Sequence, residues 1–172
     1  MARNIEIKAK ISDLNTVLKT AQLLVGSEPE LIEQQDVFFH SDNGRFKLRF
    51  LSETHGELIF YQRSNISGPK TSTYRISETN QPNELRTVLA AANGEKITVR
   101  KVRHLFHIGR TRIHVDVVAD LGEFLELEVV LDDTEGPAEG EREALELMAK
   151  LGIKSQDLVE GAYADMLAEQ SN

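Results

Sequence analysis

The chain has 172 residues, 40% apolar and 28% charged, with 28 acidic against 20 basic side chains and a formal net charge of −8. That is the composition of a folded protein with a well-filled core, and a single domain over 1–172 is expected. There is no cysteine, which excludes disulfides, thiolate zinc sites and a cysteine nucleophile, and makes a reducing cytoplasm the expected address.

Asn4 to Ile11 alternates apolar and polar and predicts a strand. Ser12 follows as the expected N-cap of a helix whose stripe is Leu14, Val17, Leu18, Ala21, Leu24 and Val25, ending at Gly26. A strand is expected over 35–40. The Ser41-Asp42-Asn43-Gly44 turn then leads into further strands over 45–51 and 57–63. Residues 64–73 read as a mobile loop, and 74–77 as a short returning strand. A helix is expected over 82–92, three strands over 97–107, 111–118 and 124–131, and a helix over 141–151. Ser155 is expected to cap a last helix carrying Leu158, Val159, Ala162, Tyr163, Met166 and Leu167. The sum is an α+β fold with a mostly antiparallel sheet.

Charge is unevenly spread. Residues 1–118 hold 17 Lys/Arg against 13 Asp/Glu, whereas 119–172 hold 3 against 15. Along the strands the sign segregates as well. Arg45, Lys47 and Arg49 share one face opposite Phe46, Leu48 and Phe50, while Glu126 and Glu128 oppose Leu125, Leu127 and Val129. A merely solvated face would mix the signs to limit like-charge contacts. Four amphipathic helices also need apolar sheet to cover, so the sheet is expected to curl with its charged face inward around a wet interior. An acidic wall and a basic wall in one cavity call for a divalent cation and a polyanion, the chemistry of a metal–polyphosphate complex.

Four motifs in order carry a more specific signal: Asn4-x-Glu6-x-Lys8; Gly44-Arg45-Phe46-Lys47-Leu48-Arg49; Arg112-Ile113-His114-Val115-Asp116; and Leu121-Gly122-x-Phe124-Leu125-Glu126-Leu127-Glu128. With the closing Gly161-Ala162-Tyr163 segment they resemble the CYTH superfamily of triphosphate tunnel enzymes, closest to its class IV adenylyl cyclase-like branch. The resemblance implies a closed, antiparallel, eight-stranded β-barrel with helices packed outside. It implies Glu6, Asp116, Glu126 and Glu128 as ligands for Mg²⁺ or Mn²⁺, and Glu6, Lys8 and Asp116 as catalytic residues. Lys8, Lys47, Arg49, Arg63, Lys70, Arg103 and Arg112 are the implied triphosphate cradle, with Lys10, Arg45 and Lys101 less strongly indicated. Lys70, in the expected loop, is the residue placed to close over substrate. The family's N-terminal motif begins with Glu, where this chain has Asn4, which contributes no charge.

The activity this implies is conversion of ATP to cyclic AMP and pyrophosphate. The alternatives are hydrolysis of an inorganic or organic triphosphate, tripolyphosphate or thiamine triphosphate among them, and noncatalytic polyphosphate or nucleotide sensing. Nucleic acid is not an expected partner at pI 5.2. A membrane is not expected either, because no apolar run is long enough to span one and the N-terminus does not read as a signal peptide. A homodimer is left open. There is no G-x-x-x-x-G-K-[ST] loop. His104 and His107 fall on opposite strand faces, which argues against a zinc pair. His114 reads foremost as a wall histidine, with proton transfer as the alternative. Tyr61, Tyr74 and Tyr163 are expected to pack rather than to stack on a base.

Overall fold

The computed structural model describes residues 2–172. Eight strands form the closed barrel expected: β1 (Ala2–Lys10), β2 (Glu30–Phe39), β3 (Arg45–Phe50), β4 (Gly56–Arg63), β5 (Lys70–Thr79), β6 (Glu95–Ile108), β7 (Thr111–Val118) and β8 (Gly122–Leu131). Their order around the barrel is β1-β5-β4-β3-β2-β6-β7-β8, with every neighbouring pair antiparallel. Four helices pack against it: α1 (Leu14–Val25), α2 (Pro82–Asn93), α3 (Pro137–Lys150) and α4 (Tyr163–Gln170). Among the described residues no helix is long and apolar enough to cross a membrane.

The apolar strand faces point outward, as their alternation requires. Ile5, Ile7, Ile113, Val115, Leu125, Leu127 and Val129 are fully buried beneath α1 and α3. Each such aliphatic side chain contributes about 1.5–3 kcal/mol. Helix α3 lies so close to β1 that a Cβ at Gly140 would come within 2.8 Å of Ile5 Cγ1 and 2.7 Å of Leu131 Cδ2. On the other side Val37, Phe39 and Leu48 are covered by Leu85 and Leu89 of α2.

Several boundaries depart from the expectation. Asp13, not Ser12, caps α1, because the helix starts one residue later; its Oδ1 accepts from the Thr16 N–H at 3.0 Å. Strand β2 begins at Glu30 rather than Gln35, since the 14-residue β6 supplies a partner for the whole stretch. Helix α3 begins at Pro137, a residue whose fixed φ suits the first turn. The expected mobile loop is shorter than predicted, because β5 starts at Lys70 and pairs that residue with Glu6 of β1.

The largest departure is at the C-terminus. Ser155–Asp157 is one 3₁₀ turn, and Leu158 and Val159 are not helical but run along β1, with the Val159 N–H donating to the Lys8 carbonyl at 3.0 Å. Gly161 then takes a positive φ of 75°, and α4 starts at Tyr163 with the Asp165 carboxylate accepting from the Ala162 N–H at 2.8 Å. Two ties hold this segment to the far side of the barrel. Arg45 of β3 pairs with Asp165 at 2.8 Å, and Arg63 of β4 donates to the Gly161 carbonyl at 2.5 Å. The segment therefore crosses one end of the barrel. It seals that end with Tyr163 and Ala164 packed on Phe38, Val99, Val118 and Phe124.

Candidate functional site

The barrel encloses a cavity of about 400 Å³, within the range of small-molecule sites. All eight strands contribute to it, because every second residue of each points inward. Arg49 and Glu126, from the basic and acidic strands, line the same space. So do Lys8, Lys47, Arg63, Lys101, Arg103 and Arg112 among the cations, and Glu6, Asp36, Glu57 and Glu128 among the anions. Seven cations against five carboxylates leave the lining with surplus positive charge.

The basic wall is organised around Asp36, which belongs to the strand entry shared with the family but carries no expected site role. Its carboxylate accepts from Lys47 Nζ at 2.7 Å and from Arg49 Nε and Nη2 at 2.8 and 2.9 Å, with Lys101 Nζ at 3.8 Å. Strands β2, β3 and β6 are neighbours, so one carboxylate on the middle strand serves cations on both sides. Burial pushes Asp36 up, but Arg49, Lys47 and Lys101 outweigh it and hold the carboxyl well below its ordinary range. The counterpart is that Lys101 is driven well below the lysine range, by burial and then by Arg103. One carboxylate cannot satisfy three cations.

Arg103 is held by Asp116. Both guanidinium contacts are close, Nε to Oδ1 at 2.8 Å and Nη2 to Oδ2 at 2.7 Å, and Tyr163 donates its hydroxyl to Asp116 Oδ2 at 2.9 Å. Asp116 is completely buried and does not line the cavity. Both its oxygens are thus committed to neighbours, which departs from the metal-ligand and catalytic placement the resemblance implies. The ring of Tyr163 has Lys8 Nζ 3.9 Å from its centroid and meets Phe124 edge-on at 5.1 Å. It packs, as expected, and forms the floor of the site.

On the acidic wall, Glu6 accepts from Arg63 Nη1 at 2.9 Å, Glu126 pairs with Lys8 at 3.2 Å, and Glu128 pairs with Arg112 at 2.7 Å. Burial raises Glu126, but Lys8 and Arg103 more than reverse this and hold it well below the ordinary range. Glu128 goes the other way, raised by burial and then by the charge of Glu126. His114 stands beside them, with Nδ1 3.9 Å from Glu128 Oε1. Burial, and then the Arg103 charge, keep it neutral.

Lys70 is not the mobile cation expected. It is 2% exposed, lies outside the cavity lining, and donates from Nζ to the Ile66 carbonyl at 2.9 Å. The Gly68-Pro69 pair before it reads as loop, yet β1 captures the chain directly afterwards. Burial, and then Arg63 and Lys8, push its ammonium down to about 8. Lys10 is exposed, and Arg45 is engaged by Asp165 and, at 2.5 Å, by Asn65. Ile32, Leu51, Ile76 and Leu105, at the strand ends away from α4, give the mouth an apolar rim.

The donor set fits a hard divalent cation. Glu6, Glu126 and Glu128 offer oxygens to the cavity, and of four unpartnered buried polar atoms on its lining residues, Asn4 Oδ1 and His114 Nδ1 sit on the strands flanking β8, with Gln34 Oε1 and Arg63 Nε elsewhere on the wall. A closed β-barrel with one acidic and one basic inner wall defines a polyphosphate-binding class of protein. The model of the CYTH domain matches residues 2–163, and the chain belongs to that family. A Methanocaldococcus jannaschii protein named "Putative adenylate cyclase" is 24% identical, covering 94% of this chain and 97% of its own. A solved structure described as a conserved hypothetical protein from Pyrococcus furiosus superposes with a TM-score of 0.81 at 22% identity, over 94% of this chain and 98% of its own. Another, from Hippeastrum, described as a putative adenylyl cyclase that "reveals a dominant triphosphatase activity", superposes with a TM-score of 0.66 at 15% identity, over 98% and 96%.

Proposed function

We propose that this chain is a metal-dependent enzyme that converts ATP to cyclic AMP and pyrophosphate. The observation that carries the triphosphate part is the under-neutralised cluster of Lys47, Arg49 and Lys101 around the single carboxylate Asp36, facing an acidic wall in one cavity. The apolar rim of Ile32, Leu51, Ile76 and Leu105 supports an organic group at the mouth, which favours a nucleotide over inorganic tripolyphosphate.

Lys47, Arg49, Lys101 and Arg103 bind the β- and γ-phosphates, the arginines through pairs of N–H groups and the lysines as point charges. Arg103 is aimed by Asp116 and Tyr163, which act as positioning residues. The ribose 3′-oxygen forms a bond to the α-phosphorus, the bond from that phosphorus to the bridging oxygen breaks, and pyrophosphate leaves with the electron pair. Glu6 takes the proton of the 3′-hydroxyl, Lys8 on the floor joins the cations at the terminal phosphate, and Arg112, nearer the mouth, offsets charge on the α-phosphate. Bound Mg²⁺ or Mn²⁺ would supply charge neutralisation at the phosphate oxygens, held by carboxylates of the acidic wall.

A second reading is hydrolysis of the same triphosphate, supported by the triphosphatase activity described for the Hippeastrum neighbour. The test is incubation with ATP, tripolyphosphate and thiamine triphosphate in Mg²⁺ or Mn²⁺, with cyclic nucleotide, pyrophosphate and orthophosphate separated. Equimolar cyclic AMP and pyrophosphate are expected. Orthophosphate without cyclic product promotes the hydrolase, and tight binding without turnover makes the chain a sensor.

A further inference from the structure

The carboxylates that the resemblance implies as metal ligands are not equally available. Asp116 gives both oxygens to Arg103 and Tyr163, whereas Glu6, Glu126 and Glu128 each pair with a cation through Oε2. Of these, Glu126 and Glu128 stand two residues apart on β8, with His114 directly opposite Glu126 on β7. One donor atom from each of His114, Glu126 and Glu128 lies within 4.8 Å of the others. The edge of a coordination polyhedron is about 3 Å for bonds of about 2.1 Å, so the donor atoms stand within about 2 Å of ligating separation.

A second observation points the same way. His114 is 3% exposed, and its Nδ1 has no hydrogen-bond partner. A buried ring nitrogen is ordinarily satisfied, and an orphan marks a missing partner. Glu128 Oε1 at 3.9 Å is too far to be that partner, but close enough to share an ion with it.

We propose that His114, Glu126 and Glu128 form a mixed nitrogen–oxygen site for a divalent transition-metal cation, with the His114 imidazole as a direct ligand. This rests on the metal-dependent reading above and refines it. An all-oxygen set suits Mg²⁺, whereas one imidazole shifts preference toward Mn²⁺ and the later first-row ions. A dication between Glu126 and Glu128 also takes those carboxylates from Lys8 and Arg112, leaving both cations to turn to phosphate oxygens.

The test is titration of the full chain with Mn²⁺ alone, without nucleotide, read by electron spin resonance. Free Mn²⁺ gives the affinity, and electron spin-echo modulation reports nitrogen bound to the metal. The expected result is ¹⁴N modulation in the wild type that disappears in His114→Asn, with Mn²⁺ affinity falling about tenfold and Mg²⁺ affinity changing less than twofold. His114→Asp, which restores an oxygen ligand, should recover Mn²⁺ affinity without the modulation; this keeps the inference testable should the Asn variant fold poorly. Absence of ¹⁴N modulation in the wild type, or its persistence in both variants, overturns the proposal. Because no triphosphate is present, Mn²⁺ bound through His114 with no turnover of ATP would sink the proposed activity and leave the metal site standing. Turnover without nitrogen coupling would do the reverse.

Discussion

Arg103 and Asp116 face each other across β6 and β7 as register partners and close a two-pronged ion pair inside the protein, with side chains 7% and 0% exposed. Removing one member of such a pair strands the other, at a cost of about 3–5 kcal/mol. Asp116→Asn should therefore lower Tm markedly, by about 3 °C for each kcal/mol in a chain of this size. The freed guanidinium also gains most from a phosphate partner, so inorganic tripolyphosphate should raise Tm more in the variant than in the wild type. Equal ligand-induced shifts would place Arg103 away from the anion.

The cationic wall imposes an alkaline signature on folding. The Lys70 ammonium is pushed down to about 8 in the fold, against 10.5 ordinarily, while Lys47 and Lys101 are lowered as well. Between these values the unfolded chain holds protons that the folded chain has released, so stability rises with pH. The buried Tyr61 and Tyr163 hydroxyls are raised by burial and oppose this above about pH 10, where unfolded tyrosines ionise. Urea denaturation at pH 7.5, 8.5 and 9.5 should show increasing stability, with a shallower rise in Lys70→Met. A flat wild-type profile would contradict the burial of protonated lysines.

Gly140 sets the distance between α3 and the barrel. Valine there would drive a side chain into Ile5, which is fully buried and has no room to yield. Overpacking of this kind costs about 1–3 kcal/mol, more than the roughly 0.3 kcal/mol by which valine exceeds glycine in helix propensity. Gly140→Val should melt several degrees lower while leaving Mn²⁺ affinity within twofold. A wild-type Tm would show that α3 can lift off β1 freely.

Asn4 lies in the cavity two residues before Glu6, with Oδ1 buried and unpartnered. Asn4→Glu adds a charged oxygen there and should tighten Mn²⁺ binding severalfold at pH 8. The opposing effect is proton uptake by a carboxyl crowded among Glu6, Glu126 and Glu128, which would confine the gain to higher pH. Titration at pH 6 and 8 separates the two. Affinity unchanged at both would put position 4 outside the reach of the ion.

Much of the barrel was legible because its strands obey a strict two-residue period. The alternation in β3 and β8 alone puts Leu48, Leu125, Leu127 and Val129 on the outer face and Lys47, Arg49, Glu126 and Glu128 on the inner one, where the barrel has them. What escaped depends on register between strands distant in the sequence. Asp36 is one acidic residue on β2 until β3 and β6 are aligned beside it, when it becomes the hub of three cations. Lys70 was hidden by the Gly68-Pro69 pair, whose turn chemistry masks the strand that follows. The apolar residues at 158–159 and 162–167 resemble one helical stripe, and the break between them comes from contacts with β1, β3 and β4 that local periodicity does not encode.

The C-terminal segment that crosses the barrel makes the interior a cul-de-sac rather than a passage. Whatever enters must do so head first, its most highly charged end travelling past Arg112 and Glu128 toward Lys8 and Tyr163. What leaves must back out through the same doorway. A fragment released at the deep end is trapped behind the one nearer the mouth until that one departs. Order of exit is thus written into the architecture, and the deeper product, last to leave the empty barrel, should compete with incoming substrate, while the shallower one should inhibit noncompetitively.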